Sequence, residues 1–153
     1  MDHIGTVARR EAAKLVVRKI KEIANGAPMI LTGDFNVDQN NEIYSIFTES
    51  GIMADSYVIA EQRFAENGTF NAYDPEMKTS SRIDHIFVSP CFAVDHYAVM
   101  TNGYWREKAD AIAERGANAP QEIRLRRHEM RTASDHYPVW AKIRLTNLNQ
   151  AKK

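Results

Sequence analysis

Three short stretches of this chain cluster acids, an amide and histidines: "GDFN" at Gly33 to Asn36, "RIDH" ending in Asp84 and His85, and "SDHYP" with Asp135 and His136. Carboxylate oxygens are the donors that hard divalent ions such as Mg²⁺ or Mn²⁺ take. One or two usually come from the protein, and water or phosphate oxygens fill the other positions. A phosphoryl-transfer centre also needs a group to position the attacking water and another to stabilise charge spreading over phosphate oxygens. Asp34 suits the first task. Asn36, neutral and able to donate from its amide, suits the second without repelling an anion. Asp135 is then free to hold metal. A histidine does acid–base or anion-binding work best when a carboxylate orients it, and Asp84 and His136 are the candidate couple. A bland alternative has Asp84 salt-bridging Arg82 and His136 packing at a strand end. Each pair alone is weak, and their joint presence carries the argument.

The elements that must position these groups follow from periodicity. From Thr6 to Asn25, Ala8, Ala12, Leu15, Val16, Ile20 and Ile23 recur at helical steps, and Gly26 and Pro28 end the run. A strand over Met29 to Thr32 follows, and Gly33 is expected to break it and hand Asp34 and Asn36 to a loop. "NNEIYSIFTESG" suits a short second helix, "IMADSYVIA" a strand or strand edge, and "TFNAY" a short strand before the turn-rich "DPEMKTSS". Arg82 to Ser89 alternates Ile83, His85 and Phe87 against Asp84, Ile86 and Val88, so Asp84 points away from His85. "FAVDHYAVM" continues as a strand. "YWREKADAIAERG" offers a helical face of Trp105, Ala109, Ile112 and Ala113 ended by Gly116, and Ala117 to Ala133 reads as a polar, basic surface excursion. "HYPVWAKIRL" closes the set as a strand, with "TNLNQAKK" as a tail. The class is α+β, and the later strands are expected to pair antiparallel.

At 153 residues the chain suits one domain, and 44% apolar with 26% charged residues excludes a disordered polyelectrolyte. Lysine plus arginine equals aspartate plus glutamate at 20 each, so any affinity for phosphate must be local and a coat for nucleic acid is not expected. Within the basic run "RLRRHEMR", Arg124 and Arg127 are candidate substrate-binding residues because guanidinium forks match phosphate oxygens; a solvated face fits the run equally well. Tyr104 and Trp105 nearby suit packing against a sugar or against the domain. Cys91, the sole cysteine, is expected to be a buried thiol. No apolar run approaches the roughly 18 residues of a membrane span, and the first twenty residues are too charged for a signal peptide, so no membrane partner is expected.

"GDFN", "SRIDHIFVS" at Ser81 to Ser89 and "SDHYPV" at Ser134 to Val139 resemble, in order, signature motifs of the endonuclease/exonuclease/phosphatase superfamily. The opening "DHIGTVAR" is similar to its "DH-x-G-x-x-AR" stretch. The resemblance runs from Asp2 to about Leu145, apart from Gly103 to Ala133. It implies two packed β-sheets flanked by helices, part of a four-layer α/β/β/α sandwich, and divalent-metal-dependent hydrolysis of phosphate esters with Mg²⁺ or Mn²⁺. Carried over, Asp34 would activate water, Asn36 would contact the phosphoryl group, Asp84 would pair with a phosphate-binding His136, and Asp135 would reach the metal. Thr69, Phe70 and Asn71 would line the substrate cleft, with Asp2, His3 and Arg9 in support.

Members of that superfamily carry about half of the domain ahead of the "DH-x-G" stretch, including an asparagine and a glutamate that serve metal binding. By the resemblance, residues 1–146 correspond to the C-terminal portion and 147–153 to a tail. An uncovered apolar face would then favour a homodimer, and activity would be weak or absent unless another segment completed the site. Substrates left open are a sugar phosphate, an inositol phosphate, a lipid headgroup or a nucleic acid, the neutral charge weighing mildly against the last. A calcineurin-like phosphoesterase is set aside, since Val37 stands three residues after Asp34 and no "GNH" occurs. The competing class is a non-catalytic interaction module in which these motifs cap and pack.

Overall fold

The structure, a computed structural model, describes residues 1–2, 4–109 and 127–146. His3, Arg124, the expected helical positions Ile112, Ala113 and Gly116, and the tail lie outside the described residues. Ahead of the first helix, the Asp2 carboxylate accepts hydrogen bonds from the backbone N–H groups of Ile4 (3.1 Å) and Gly5 (3.0 Å). Helix α1 (Thr6–Ala24) then runs until Asn25 and Gly26 turn left-handed, at φ 42° and 84°. Its inward face is Ala13, Val16, Val17 and Ile20, while Ala8, Leu15 and Ile23, expected on that face, are exposed.

After α1 come β1 (Ile30–Asp34), α2 (Glu42–Thr48), β2 (Ala54–Asp55), α3 (Ser56–Ile59), β3 (Gln62–Phe64), β4 (Asp84–Val88), β5 (Phe92–Val99), β6 (Tyr104–Glu107), β7 (His128–Arg131) and β8 (Val139–Leu145). One sheet has the order β1-β4-β2, another β3-β5-β8, and β6 and β7 form a two-stranded ribbon. All pairs are antiparallel except β3 with β5, which run parallel.

The strand β4 separates two cores. Phe87 faces α1 and α2, among Phe35, Val37, Ile43, Tyr44 and Phe47; Phe35 meets Phe47 and Phe87 edge-on at 5.0 and 5.3 Å. Val88 and Ile86 face the second sheet, against Val94, Tyr97, Val99 and Tyr137. The period-two alternation of one strand thus serves a helix layer on one side and a sheet on the other, giving a mixed α+β architecture.

Several local expectations yield to tertiary pairing. β1 does not stop at Thr32: β4 pairs with it as far as Gly33 with His85 and Asp34 with Asp84, so Asp34 ends a strand instead of entering a loop. Tyr104–Glu107 is strand, not helix, because His128–Arg131 lies alongside it; the end of the expected excursion is therefore also strand. "IMADSYVIA" divides into two residues of β2 and the single turn α3, where the Asp55 carboxylate accepts from the Tyr57 N–H at 2.9 Å. "TFNAY" makes a single bridge, Phe70 with His136. Cys91 is buried, its Sγ 3.1 Å from Ser89 Oγ. Among the described residues no helix is long and apolar enough to cross a membrane.

Candidate active site

The paired ends of β1 and β4 set two carboxylates side by side, Asp34 opposite Asp84. Directly opposed residues of an antiparallel pair share a face, so two like charges stand together, an arrangement that costs energy unless a cation answers it. His136 is the described answer: its Nδ1 lies 2.8 Å from Asp84 Oδ2. An ionised carboxylate only accepts, so Nδ1 is the donor. Burial pulls the His136 pKa down, but the hydrogen bond and charge of Asp84, with the charges of Asp34 and Asp135, outweigh it and hold the ring above its ordinary value. A cleft of about 460 Å³ opens here, walled by Thr32, Asp34, Asp84, Ser134, His136 and Pro138. A slightly larger cavity, about 480 Å³, lies beside Gln39, Lys78 and Arg82 and contains none of these paired groups. Chemistry, not size, selects the first.

One buried threonine sets the spacing. Thr69 Oγ1 accepts from the N–H groups of Ile83 (3.0 Å) and Asp84 (3.2 Å), and its carbonyl accepts from Tyr137 N at 2.7 Å. It therefore stitches the backbone carrying Asp84 to the backbone carrying His136. The neighbouring Phe70 ring meets the His136 ring edge-on at 5.3 Å, which limits ring rotation. Thr69 is fully buried and does not itself line the cleft.

Asn36 holds Asp34 from the side. Its backbone N–H donates to Asp34 Oδ1 and its Nδ2 to Asp34 Oδ2, each at 2.8 Å, while Nδ2 also donates to the Met1 carbonyl at 2.7 Å. Both amide hydrogens are thus engaged, and Asn36 orients Asp34 in this state. Its left-handed backbone, φ 51°, is one that asparagine tolerates. Arg9 Nη1 donates to the Asp2 carbonyl at 3.0 Å, so Arg9 and Asp2 brace the entry to α1 beside Met1.

Asp135 follows Ser134, whose hydroxyl donates to Asp135 Oδ1 at 3.3 Å, and its carbonyl accepts from the N–H groups of Asn71 (2.7 Å) and Ala72 (3.2 Å). Asn71 lies beneath the cleft wall instead of on it: fully buried, its Oδ1 accepts from Tyr73 N at 2.8 Å and Thr132 Oγ1 at 3.2 Å. Arg127, exposed ahead of β7, accepts at its carbonyl from Lys108 N and is no part of the cleft wall.

A second polar cluster behind β4 was not anticipated from sequence. Asp55 Oδ2 accepts from Tyr44 Oη (2.8 Å) and Arg82 Nη1 (3.1 Å), and lies 3.3 Å from His85 Nδ1; His85 Nε2 is 3.0 Å from the Val37 carbonyl. Burial works to raise the Asp55 pKa, but His85, the Tyr57 N–H and Arg82 together hold it below its ordinary value. Arg82 is therefore committed to Asp55, not to Asp84. The available signal was a histidine between Ile83 and Phe87 on an apolar strand face, which requires a buried partner.

For a divalent ion, the donor chemistry fits: Asp34, Asp84 and Asp135 all bear electrostatically on His136, and carboxylate oxygens suit Mg²⁺ or Mn²⁺. Among the described residues, however, no group of three or more such side chains closes round one point. The fit is to an ion held by one or two carboxylates and otherwise by water and substrate.

Comparison with known proteins identifies the family. A sequence profile of the Endonuclease/Exonuclease/phosphatase family matches residues 3–136. A crystal structure of an endonuclease/exonuclease/phosphatase family protein from Bacteroides thetaiotaomicron is 45% identical with a TM-score of 0.82, over 97% of this chain and 49% of that one. A mannosyl-6-phosphatase from the same organism is 45% identical with a TM-score of 0.80, over 95% of this chain and 49% of that one. Beta toxin from Staphylococcus aureus, in a mutant form with bound magnesium ions, is 17% identical with a TM-score of 0.53 and shares the fold. The chain spans about half the length of these solved structures. No curated protein matches. With the profile covering most of its length, and 45% identity holding across nearly all of it, the chain belongs to the endonuclease/exonuclease/phosphatase family.

Proposed function

We propose that this chain carries part of the machinery of a Mg²⁺- or Mn²⁺-dependent phosphoester hydrolase acting on sugar phosphate monoesters. The carrying observation is the cleft in which Asp34 stands opposite Asp84 and Asp84 orients His136 at 2.8 Å. The substrate class draws on the similarity to a mannosyl-6-phosphatase over 95% of this chain. Asp34, fixed by two hydrogen bonds from Asn36, accepts a proton from a water molecule aimed at phosphorus. The new P–O bond forms as the bond to the sugar oxygen breaks, and the departing oxygen takes a proton from solvent. His136, its pKa raised by Asp84, donates to a non-bridging phosphate oxygen. Asp135 would hold the metal, which supplies positive charge for the phosphate oxygens.

Among the described residues no three such side chains converge on one point, and an ion held by one or two carboxylates is held weakly. Turnover by these 153 residues alone is therefore slow unless another segment adds donors. One observation favours a second reading, a non-catalytic module: both Asn36 amide hydrogens are already engaged within the protein. Release of phosphate from mannose 6-phosphate and of the aryl alcohol from a bis-aryl phosphate diester, with Mg²⁺ or Mn²⁺ against chelator, separates the two. Metal-dependent release from the monoester supports the hydrolase. A folded chain that releases nothing in either metal supports the module, and preference for the diester would move the substrate class.

A further inference from the structure

The cavity beside Gln39, Lys78 and Arg82, about 480 Å³, shares no lining residue with the candidate active site and carries a buried cation in its wall. Arg82 is only 5% exposed. Its Nη1 donates to Asp55 Oδ2 at 3.1 Å, and its guanidinium carbon lies 3.5 Å from the centre of the Tyr57 ring, which also lines the cavity. Among the described residues no other nitrogen of the guanidinium has a hydrogen-bond partner. The Tyr97 hydroxyl stands near enough for Arg82 to act on it electrostatically, yet it is buried and reaches hydrogen-bond geometry with nothing. The remaining Arg82 nitrogens are not sealed in the core, so the open part of the fork faces the cavity.

The charges behind β4 explain why that fork is available. Both ring nitrogens of His85 meet oxygens that only accept, the Asp55 carboxylate at 3.3 Å and the Val37 carbonyl at 3.0 Å, so both carry hydrogen and the ring is a cation. The Asp55 carboxylate therefore serves two cations, His85 and Arg82, and also accepts from Tyr44 Oη and the Tyr57 N–H. One positive charge is left in excess where burial makes unpaired charge costly. Lys78 adds a second cation at the rim, exposed and in no ion pair among the described residues. Glu66, the one acid among the described lining residues, is exposed to water. We infer that this cavity binds a small organic anion, whose carboxylate or phosphate group is held by the Arg82 fork and drawn in by Lys78. A guanidinium stacked on an aromatic ring is already oriented for two oxygens of such a group, and the volume suits a small molecule. The wall is also preformed: Gln39 Oε1 accepts from Arg82 N at 3.1 Å, and Gln39 Nε2 donates to the Ser80 carbonyl at 2.9 Å. No residue of the candidate active site takes part, so the inference stands or falls apart from the hydrolase reading.

The test measures binding without metal or turnover. Inorganic phosphate and acetate are titrated separately, in chelator and at constant ionic strength, into the isotope-labelled chain. The Arg82 Nε–Hε resonance, assigned through the bonds of its own side chain, is followed by NMR. At least one of the two ions should move it saturably, and the tighter one names the group that the cavity takes. Lys78→Glu, a change at an exposed position that leaves the core untouched, should weaken that binding about fivefold, in the range of a surface charge contact. His136→Ala should leave it within about twofold. No saturable shift with either ion overturns the inference. A shift that His136→Ala abolishes assigns the ion to the active-site cleft, and one indifferent to Lys78→Glu removes the rim cation from the site; either result also overturns it.

Discussion

Consecutive residues of β4 belong to two aspartate–histidine couples that differ in nearly everything but composition. Asp84 meets His136 at 2.8 Å on the wall of an open cleft, and about a quarter of each side chain is accessible. His85 meets Asp55 at 3.3 Å with both side chains fully buried, and Tyr44, Arg82 and the Val37 carbonyl complete the set. The rear couple has its polar atoms answered within the protein, so it fixes how β4 sits on α2 and α3. The front couple retains contact with solvent and stands beside a second carboxylate, Asp34, with which no described side chain forms an ion pair. The same two residue types become architecture where every valence is filled, and a candidate for chemistry where some are left open.

Substitutions can break or sharpen that contrast. The largest effect is expected at the rear: Asp55→Ala strands Arg82 and His85 in the core, and loss of one partner from a buried charged set costs about 3–5 kcal/mol, read as a lower urea midpoint. Because the folded Asp55 pKa is depressed, its contribution is present above its unfolded value. That contribution disappears as pH falls from about 3.9 through the folded value, so wild type should lose stability in that window and Asp55→Asn should lose less. Tolerance of Asp55→Ala would erase the distinction between the couples.

Next in size is Thr69→Val. It removes the acceptor for two part-buried N–H groups, at a cost of about 1–2 kcal/mol, and should loosen the Asp84–His136 contact as seen in the His136 ring resonances. The smallest stability effect is expected at the front. Asp84→Asn should change the unfolding free energy by less than about 1 kcal/mol, because the pair is partly exposed, yet move the His136 titration to lower pH. With Asp84 present, the raised His136 pKa adds stability fully below about 6.5, lost as pH rises through the folded value; Asp84→Asn should weaken that dependence, leaving only the charges of Asp34 and Asp135 to raise the pKa. Histidine titration followed by NMR beside unfolding curves at pH 6 and pH 8 reads both.

Sequence legibility follows the same division. Alternation along Arg82 to Ser89 is enough to send Asp84 and His85 to opposite faces, and four motifs in order carry the family. The rear cluster was hidden because Asp55 lies 30 residues from His85 and is brought to it only by pairing of β2 with β4. The extension of β1 to Asp34 depended on a partner strand able to override Gly33. Asn36 was legible as a candidate, but its engagement with Met1 was not, since a backbone carbonyl carries no side-chain signature. The β6–β7 ribbon escaped because β6 is exposed at all four positions, leaving no buried-face alternation to read.

The most direct test of the division is hydrolysis of mannose 6-phosphate in Mg²⁺ by wild type, Asp34→Ala and His136→Ala, with unfolding midpoints measured on the same samples. Slow, chelator-sensitive release that disappears in both variants while their midpoints stay near wild type is the expected result. Release that persists in Asp34→Ala or His136→Ala would contradict the assignment of the front couple and its neighbouring carboxylate to chemistry.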